Sequence, residues 1–415
     1  MESLVINGGN SLYGDVPISG MKNSALPIIY ATLLIKGKCL LKNIPNVSDI
    51  FNSITILESM GAKIKKIDYN TYEIDTKDVC PFIKRLDLVS KLRASYYLLG
   101  AMISRFSEVE IPYPGGCNLG PRPIEQHIKG FTLLGADCTE EQGFVRIKAK
   151  NKLKSKKITL DKISVGATIN MVLASVFIDG ITIIENAAIE PHVDDLISFL
   201  NMAGAKIIRN GRMIIVQGVK KLSGVTYTIY PDMIEALTYI TFLGATKGEI
   251  NLLNCEPEHL TYSLDVFREM GFKFIINDKS INVRVEKLKG ICVDTQPYPL
   301  FPTDIHPQMA SLLCFCGGEI TENIFPSRFA YVGELRKMGA NITQIENKVI
   351  IKQSLLKGAE LDATDLRAGA ALITAALGAE GQSTINNINY IVRGYESLVE
   401  KIAVIGGKIN LVKGE

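Results

Sequence analysis

Cys117 and Arg122 stand five residues apart in Pro112-Tyr113-Pro114-Gly115-Gly116-Cys117-Asn118-Leu119-Gly120-Pro121-Arg122-Pro123, twelve positions that hold four Pro and three Gly. No strand or helix survives that density of breakers, so the segment is read as an exposed loop, 112–123. An accessible thiol with a cation nearby has a lowered pKa, which suits a nucleophile or a proton donor. An incidental cysteine in a flexible loop is the alternative. Lys22, Arg93, Arg328, Arg367 and Arg393 each fall at the end of an element beside small residues. A cation at a helix start opposes the helix dipole, unless an anion is meant to sit there. Together with Arg122 these six could hold one strongly anionic ligand, although any one of them alone could be solvated surface charge. Asp304, in Phe301-Pro302-Thr303-Asp304, can accept a proton from a hydroxyl as a general base, or serve only as an N-cap.

The elements that carry these residues recur. A Gly-containing step ends an amphipathic run at Gly61, Gly135, Gly204, Gly271, Gly339 and Gly406, at spacings of 74, 69, 67, 68 and 67 residues. A fixed period marks one supersecondary unit copied six times. Gly is favoured just past a helix because it adopts the left-handed conformation without a Cβ clash. Each copy reads βαβαββ, with one helix apolar on nearly every side, such as 25–34 or 368–377, and one amphipathic helix, such as 194–202. A copy of about 70 residues buries too little apolar area to stand alone. Three copies per lobe is therefore the expected division: 22–230 as the first lobe, 1–21 with 231–415 as the second, and the crossover near Thr226 to Asp232.

Composition narrows the class. Hydrophobic residues are 47% and charged ones 21% of 415, as in a packed globular protein. The net charge of +3 and the lack of long Lys/Arg runs argue against a nucleic-acid partner. The basic stretch 152–157 reads as a solvated loop. No run approaches the ~20 apolar residues of a membrane span, and Met1-Glu2-Ser3-Leu4 does not open like a signal peptide. Eight scattered Cys without a Cys-x-x-Cys pair suit a reducing cytoplasm, and neither they nor the four dispersed His suggest a metal site. Cys314-x-Cys316 is read as core filling within an apolar helix.

Eight motifs, in family order, resemble those of the UDP-N-acetylglucosamine 1-carboxyvinyltransferases, sisters of the 5-enolpyruvylshikimate-3-phosphate synthases. They are Ser19-Gly20-Met21-Lys22-Asn23-Ser24-Ala25-Leu26-Pro27, Leu92-Arg93-Ala94-Ser95, Pro114-Gly115-Gly116-Cys117, Gly120-Pro121-Arg122-Pro123, Ser164-Val165-Gly166-Ala167-Thr168, Phe301-Pro302-Thr303-Asp304, Asp365-Leu366-Arg367-Ala368 and Arg393-Gly394-Tyr395-Glu396. The resemblance implies an α/β (α+β) fold of two lobes, each of three βαβαββ repeats around buried helices, an inverse α/β barrel. It also implies transfer of the enolpyruvyl group of phosphoenolpyruvate to the 3′-hydroxyl of UDP-N-acetylglucosamine, through a tetrahedral ketal, with no metal or organic cofactor.

By the same resemblance Cys117 is a lid cysteine that protonates the methylene carbon, bonds phosphoenolpyruvate covalently and is open to the epoxide fosfomycin. Asp304 is the base. Lys22, Arg122 and Arg393 take the phosphate, and Arg328 and Arg367 the carboxylate. Asn23, Arg93, Pro123, Ile124, Glu125, Gln126, Lys162, Ile163, Ser164, Val165 and Ile324 occupy nucleotide-sugar positions. Departures from the usual pattern fall at Ile189, His192, Met233, Glu125-Gln126 and Gly333, none of them a group to which the resemblance gives chemistry. They keep two alternatives open: a divergent paralogue that binds nucleotide sugar without turnover, and a sister transferase with a shikimate-type acceptor.

Overall fold

The structure is a computed structural model that describes residues 2–113, 115 and 123–413. Cys117 and Arg122 lie outside the described residues. The chain divides into two compact units, a central one of residues 20–113, 115 and 123–230 and a flanking one of residues 2–19 and 231–413.

All six periodic glycines end helices. Gly61, Gly135, Gly204, Gly271, Gly339 and Gly406 have φ of +103°, +96°, +106°, +100°, +92° and +98°. At the first of them the Gly61 amide donates to Glu58 O at 2.9 Å, and the Ala62 amide donates to Leu57 O at 3.1 Å. These two bonds close the last turn and leave the chain heading into a strand.

Within the flanking unit the helices Met233–Thr246, His306–Leu313 and Leu366–Gly378 form the core, and twelve of the thirteen residues of the last are buried. The central unit repeats the plan with Lys22–Ala31, Tyr97–Phe106 and Val165–Ser175. Sheets cover these helices, and amphipathic helices such as Pro191–Met202 carry the exposed faces. That helix begins three residues earlier than its amphipathic pattern suggests, with Pro191 at a position that needs no amide donor.

The repeat is complete in the third copy. Strand Lys157–Thr159 pairs in parallel with Ile181–Glu185, which pairs antiparallel with Met213–Gln217, and Lys206–Asn210 lies at the edge. Three copies take strands from distant sequence. Thr226–Thr228 returns to pair with Lys38–Lys42, and Leu12–Pro17 pairs with Gly248–Leu253. Glu2–Asn7 inserts between Gln382–Asn386 and Lys408–Lys413. The second copy lacks its leading strand among the described residues, so its sheet has three strands where the other five have four. Pro81, without an amide donor, and the short helix Leu86–Lys91 occupy the chain there. The sheets of a unit remain separate, so "barrel" describes the layering and not a closed hydrogen-bonded ring. Cys316 lies past the end of the helix His306–Leu313 and so is not a helical residue.

Candidate active site

In the flanking unit Asp304 does not cap a helix. It lies in the 3-10 turn Thr303–Ile305, which has no side-chain cap. Its carboxylate instead accepts from two guanidinium groups. Arg328 Nη1 donates to Oδ1 at 2.8 Å, while Arg367 Nη2 and Nε donate to Oδ2 at 2.8 and 3.3 Å. Arg328 and Arg367 are 5% and 6% exposed, whereas the Asp304 side chain keeps 26% of its surface open. Burial pushes the Asp304 carboxyl up, but Arg367 and Arg328 outweigh it and hold the group well below the usual carboxylate range. Two cations share one anion, so the trio carries an excess positive charge. Arg328 Nε is buried and has no partner among the described residues. Buried cations are expensive without partners. A second anion delivered to this trio would meet an unsatisfied donor and uncompensated charge.

Neighbours fix the guanidinium planes. Arg367 Nη1 donates to the Tyr395 hydroxyl at 3.0 Å, and that oxygen lies 3.0 Å from Thr238 Oγ1 and accepts from Gln308 Nε2 at 3.1 Å. Asp365, which does cap its helix, orients the backbone under Arg367 through the Arg367 and Ala368 amides. Arg328 sits 4.9 Å over the Phe325 ring. Arg393 ends the 3-10 segment Ile388–Arg393, two residues before Tyr395. Ile324 lies in the turn that leads to Arg328, and its amide donates to Glu322 Oε1 at 2.7 Å.

In the central unit Arg93, Pro123, Ile124 and Glu125 line one cavity of about 290 Å³, completed by Tyr96, Tyr113 and Glu140. The Arg93 guanidinium lies 4.4 Å over the Tyr96 ring, and Tyr96 packs 5.6 Å from the His127 ring. Asn170 Nδ2 donates to His127 Nδ1 at 2.9 Å and Asn170 Oδ1 accepts from the Gly100 amide at 2.7 Å. Burial, helped by the Arg93 charge, pushes the His127 imidazole down to about 3, so the ring is neutral. Gln126 grips Asp161 in both directions: its Nε2 donates to Oδ2 at 3.2 Å and its Oε1 accepts the Asp161 amide at 2.8 Å. That clasp brings the turn bearing Lys162 and Ile163 to the helix Glu125–Leu133. Ser164 then caps the helix that begins at Val165, accepting from the Ala167 amide at 3.2 Å.

Lys22 is 9% exposed and opens the helix Lys22–Ala31, with Asn23 next in the chain. Its ammonium meets Asp49 at 3.1 Å. Lys22 is thus a paired, nearly buried cation and not solvated surface charge. It does not line the Arg93 cavity.

Tyr96, Asp49, Thr303, Glu322 and Tyr395 escape a reading of the sequence by residue type. Tyr96, one helical turn from Arg93, Thr303, next to Asp304, and Tyr395, two residues after Arg393, carried a local signal; Asp49 and Glu322 carried none.

Separate sheets around three buried helices in each unit are the architecture of the enolpyruvyl-transferase fold. The structure is similar to a crystal structure of the enolpyruvyl transferase NikO from Streptomyces tendae, with a TM-score of 0.91 at 23% identity, covering 100% of this chain and 99% of that one. EPSP synthase from Acinetobacter baumannii aligns at a TM-score of 0.76 and 19% identity. At these identities the likeness shows the fold. The sequence matches the family EPSP synthase (3-phosphoshikimate 1-carboxyvinyltransferase) over residues 6–402, and the chain belongs to this family. It is 45% identical to UDP-N-acetylglucosamine 1-carboxyvinyltransferase 3 of Caldanaerobacter subterraneus and 44% identical to UDP-N-acetylglucosamine 1-carboxyvinyltransferase of Clostridium botulinum, over 99% of each chain in both cases.

Proposed function

We propose that this chain is a transferase that moves the enolpyruvyl group of phosphoenolpyruvate to the 3′-hydroxyl of UDP-N-acetylglucosamine and releases phosphate. The reaction begins peptidoglycan precursor synthesis, and the scattered cysteines without a Cys-x-x-Cys pair suit a reducing cytoplasm for it. Among the described residues no helix is long and apolar enough to cross a membrane. The observation that carries the reading is the Asp304 carboxylate between Arg328 and Arg367, with an unused Arg328 Nε donor beside it.

In this reading Arg328 and Arg367 take the carboxylate of phosphoenolpyruvate, and Lys22, Arg122 and Arg393 its phosphate. The Arg93 cavity, the Pro123–Gln126 segment, Asn23, Ile324 and the Lys162–Val165 turn hold the nucleotide sugar. Clamped as it is, Asp304 is a weak base. An incoming anion competes for the two guanidinium groups, and each contact they transfer to it returns basicity to Asp304. The base is thereby armed by the second substrate. Asp304 then takes the 3′-hydroxyl proton as the sugar oxygen bonds to C2 and Cys117 protonates C3. The ketal collapses by loss of a C3 proton and cleavage of the C2–phosphate bond. Developing charge on the ketal is met by the same cations.

A phosphate-release assay tests this. Release should require both phosphoenolpyruvate and UDP-N-acetylglucosamine and should stop after fosfomycin modifies one thiol. Release with shikimate 3-phosphate as acceptor, or sugar binding without turnover, would overturn it.

A further inference from the structure

Glu322 is fully buried and accepts four hydrogen bonds. Oε1 takes the Ile324 and Phe325 amides at 2.7 and 2.8 Å. Oε2 accepts the Thr303 hydroxyl at 2.9 Å and faces His306 Nδ1 at 2.8 Å. His306 Nε2 in turn lies 2.7 Å from the Tyr331 hydroxyl. Burial holds the His306 imidazole below its ordinary value, so the ring is neutral. With Nδ1–H directed at Glu322, Nε2 is the acceptor for Tyr331. An ionised carboxylate has no proton to give. The single Thr303 proton therefore points at Glu322, and only lone pairs face Arg328. Arg328 Nη1 uses them, donating to Thr303 Oγ1 at 2.9 Å while it also donates to Asp304.

We infer that Glu322 is a positioning residue for the substrate-binding guanidinium of Arg328, acting through the direction it imposes on the Thr303 hydroxyl. The inference rests on the proposed role of Arg328 toward phosphoenolpyruvate. A glutamine at 322 has nearly the same shape but cannot reproduce the polarity. With its oxygen on the two amides, its NH2 faces Thr303 and His306, and the threonine proton is turned toward Arg328. With its NH2 on the amides, two donors meet two donors. The first orientation keeps the amides satisfied and is the favoured one, and in it Arg328 loses a fixed acceptor.

The experiment measures KM for each substrate and kcat in Glu322→Gln, Thr303→Val, their double variant and Thr303→Ser, with melting temperatures as a folding check and direct titration of phosphoenolpyruvate alongside. Glu322→Gln and Thr303→Val should each raise KM for phosphoenolpyruvate about tenfold, the size of one hydrogen bond to a charged group, with KM for the sugar within about twofold. In the double variant Glu322→Gln should add little, because its route through the hydroxyl is already gone. Thr303→Ser, which keeps the hydroxyl, should stay within about threefold of the unmodified protein. Equal losses on both substrates, or full additivity in the double variant, would overturn the inference. An unmodified protein that releases no phosphate would instead overturn the proposed reaction, and the phosphoenolpyruvate titrations would still decide the role of Glu322. If Glu322→Gln fails to fold, Thr303→Val against Thr303→Ser decides it.

Discussion

The two units treat buried charge in opposite ways. In the flanking unit a carboxylate, Asp304, is held by two arginines and is pulled well below the ordinary acid range. In the central unit a fully buried carboxylate, Asp195, has neutral donors: the Tyr227 hydroxyl at 2.5 Å and the Tyr230 amide at 3.0 Å. Burial pushes Asp195 up to about 6, against the lowering effect of those hydrogen bonds. The scaffold is the same in both units, down to the glycine that ends each outer helix, yet one carboxylate is poised for an anion and the other for a proton. What differs is the partner: two arginines at Asp304, a tyrosine hydroxyl and a backbone amide at Asp195.

The largest effect that could break this contrast is at Asp304. Asp304→Ala strands two buried guanidinium groups, so stability should fall by about 3 kcal/mol and turnover by about a thousandfold. Urea unfolding and phosphate release read the two separately. A variant that folds normally and still turns over would mean that Asp304 is neither structural nor the base.

Next comes Arg93→Ala in the central unit. Its guanidinium rests on Tyr96. KM for the nucleotide sugar should rise about tenfold with kcat nearly unchanged. A comparable rise in KM for phosphoenolpyruvate would erase the division of labour.

The acid responses should also diverge. Asp195 has a raised folded-state value, so the folded protein binds the extra proton between about pH 4 and 6. Its contribution to stability is therefore lost as pH rises through that window and regained as pH falls. Asp304 has a lowered value, so its contribution is present above the unfolded pKa of about 4 and is lost only below it. Asp195→Asn should flatten the melting-temperature profile between pH 4 and 6. Asp304→Asn should leave that window unchanged and remove instead a steep loss below pH 4.

The smallest test concerns the shared scaffold. An added Cβ at Gly204 meets nothing within 4 Å, and one at Gly339 meets only Leu355 O at 3.7 Å. Gly204→Ala and Gly339→Ala should each cost about 1 kcal/mol, from the positive φ alone. Unequal losses in urea unfolding would show that the two caps are not equivalent.

The helix ends and the core helices were legible because a left-handed cap and an all-apolar helix are local properties. Gly61 and Gly406 announce themselves within a few residues. The cation set was legible as placement but not as pairing. Nothing near Lys22 in sequence indicates Asp49, and Arg328 and Arg367 reach Asp304 across 24 and 63 positions. Asp304 could be read equally as a cap or as a base, since Asp is common at both, and only the tertiary structure shows that it pairs with two arginines and caps no helix. The strand that the second repeat lacks among the described residues was hidden for the opposite reason. A regular spacing of glycines constrains where helices stop and says nothing of which edge strands precede them. Cys117 and Arg122, whose chemistry was the first signal in the sequence, lie outside the described residues.

Residues 2–7 form a strand flanked on both sides by segments from the other end of the polypeptide, with Leu4 opposite both Ile385 and Leu411. During synthesis this early segment has no partner until nearly the whole protein has been made, while residues 20–230 can already have assembled. A stretch translated early is therefore among the last to be secured. A deletion of a few residues at the start should do its damage in the last repeat, whose final strand would lose its neighbour.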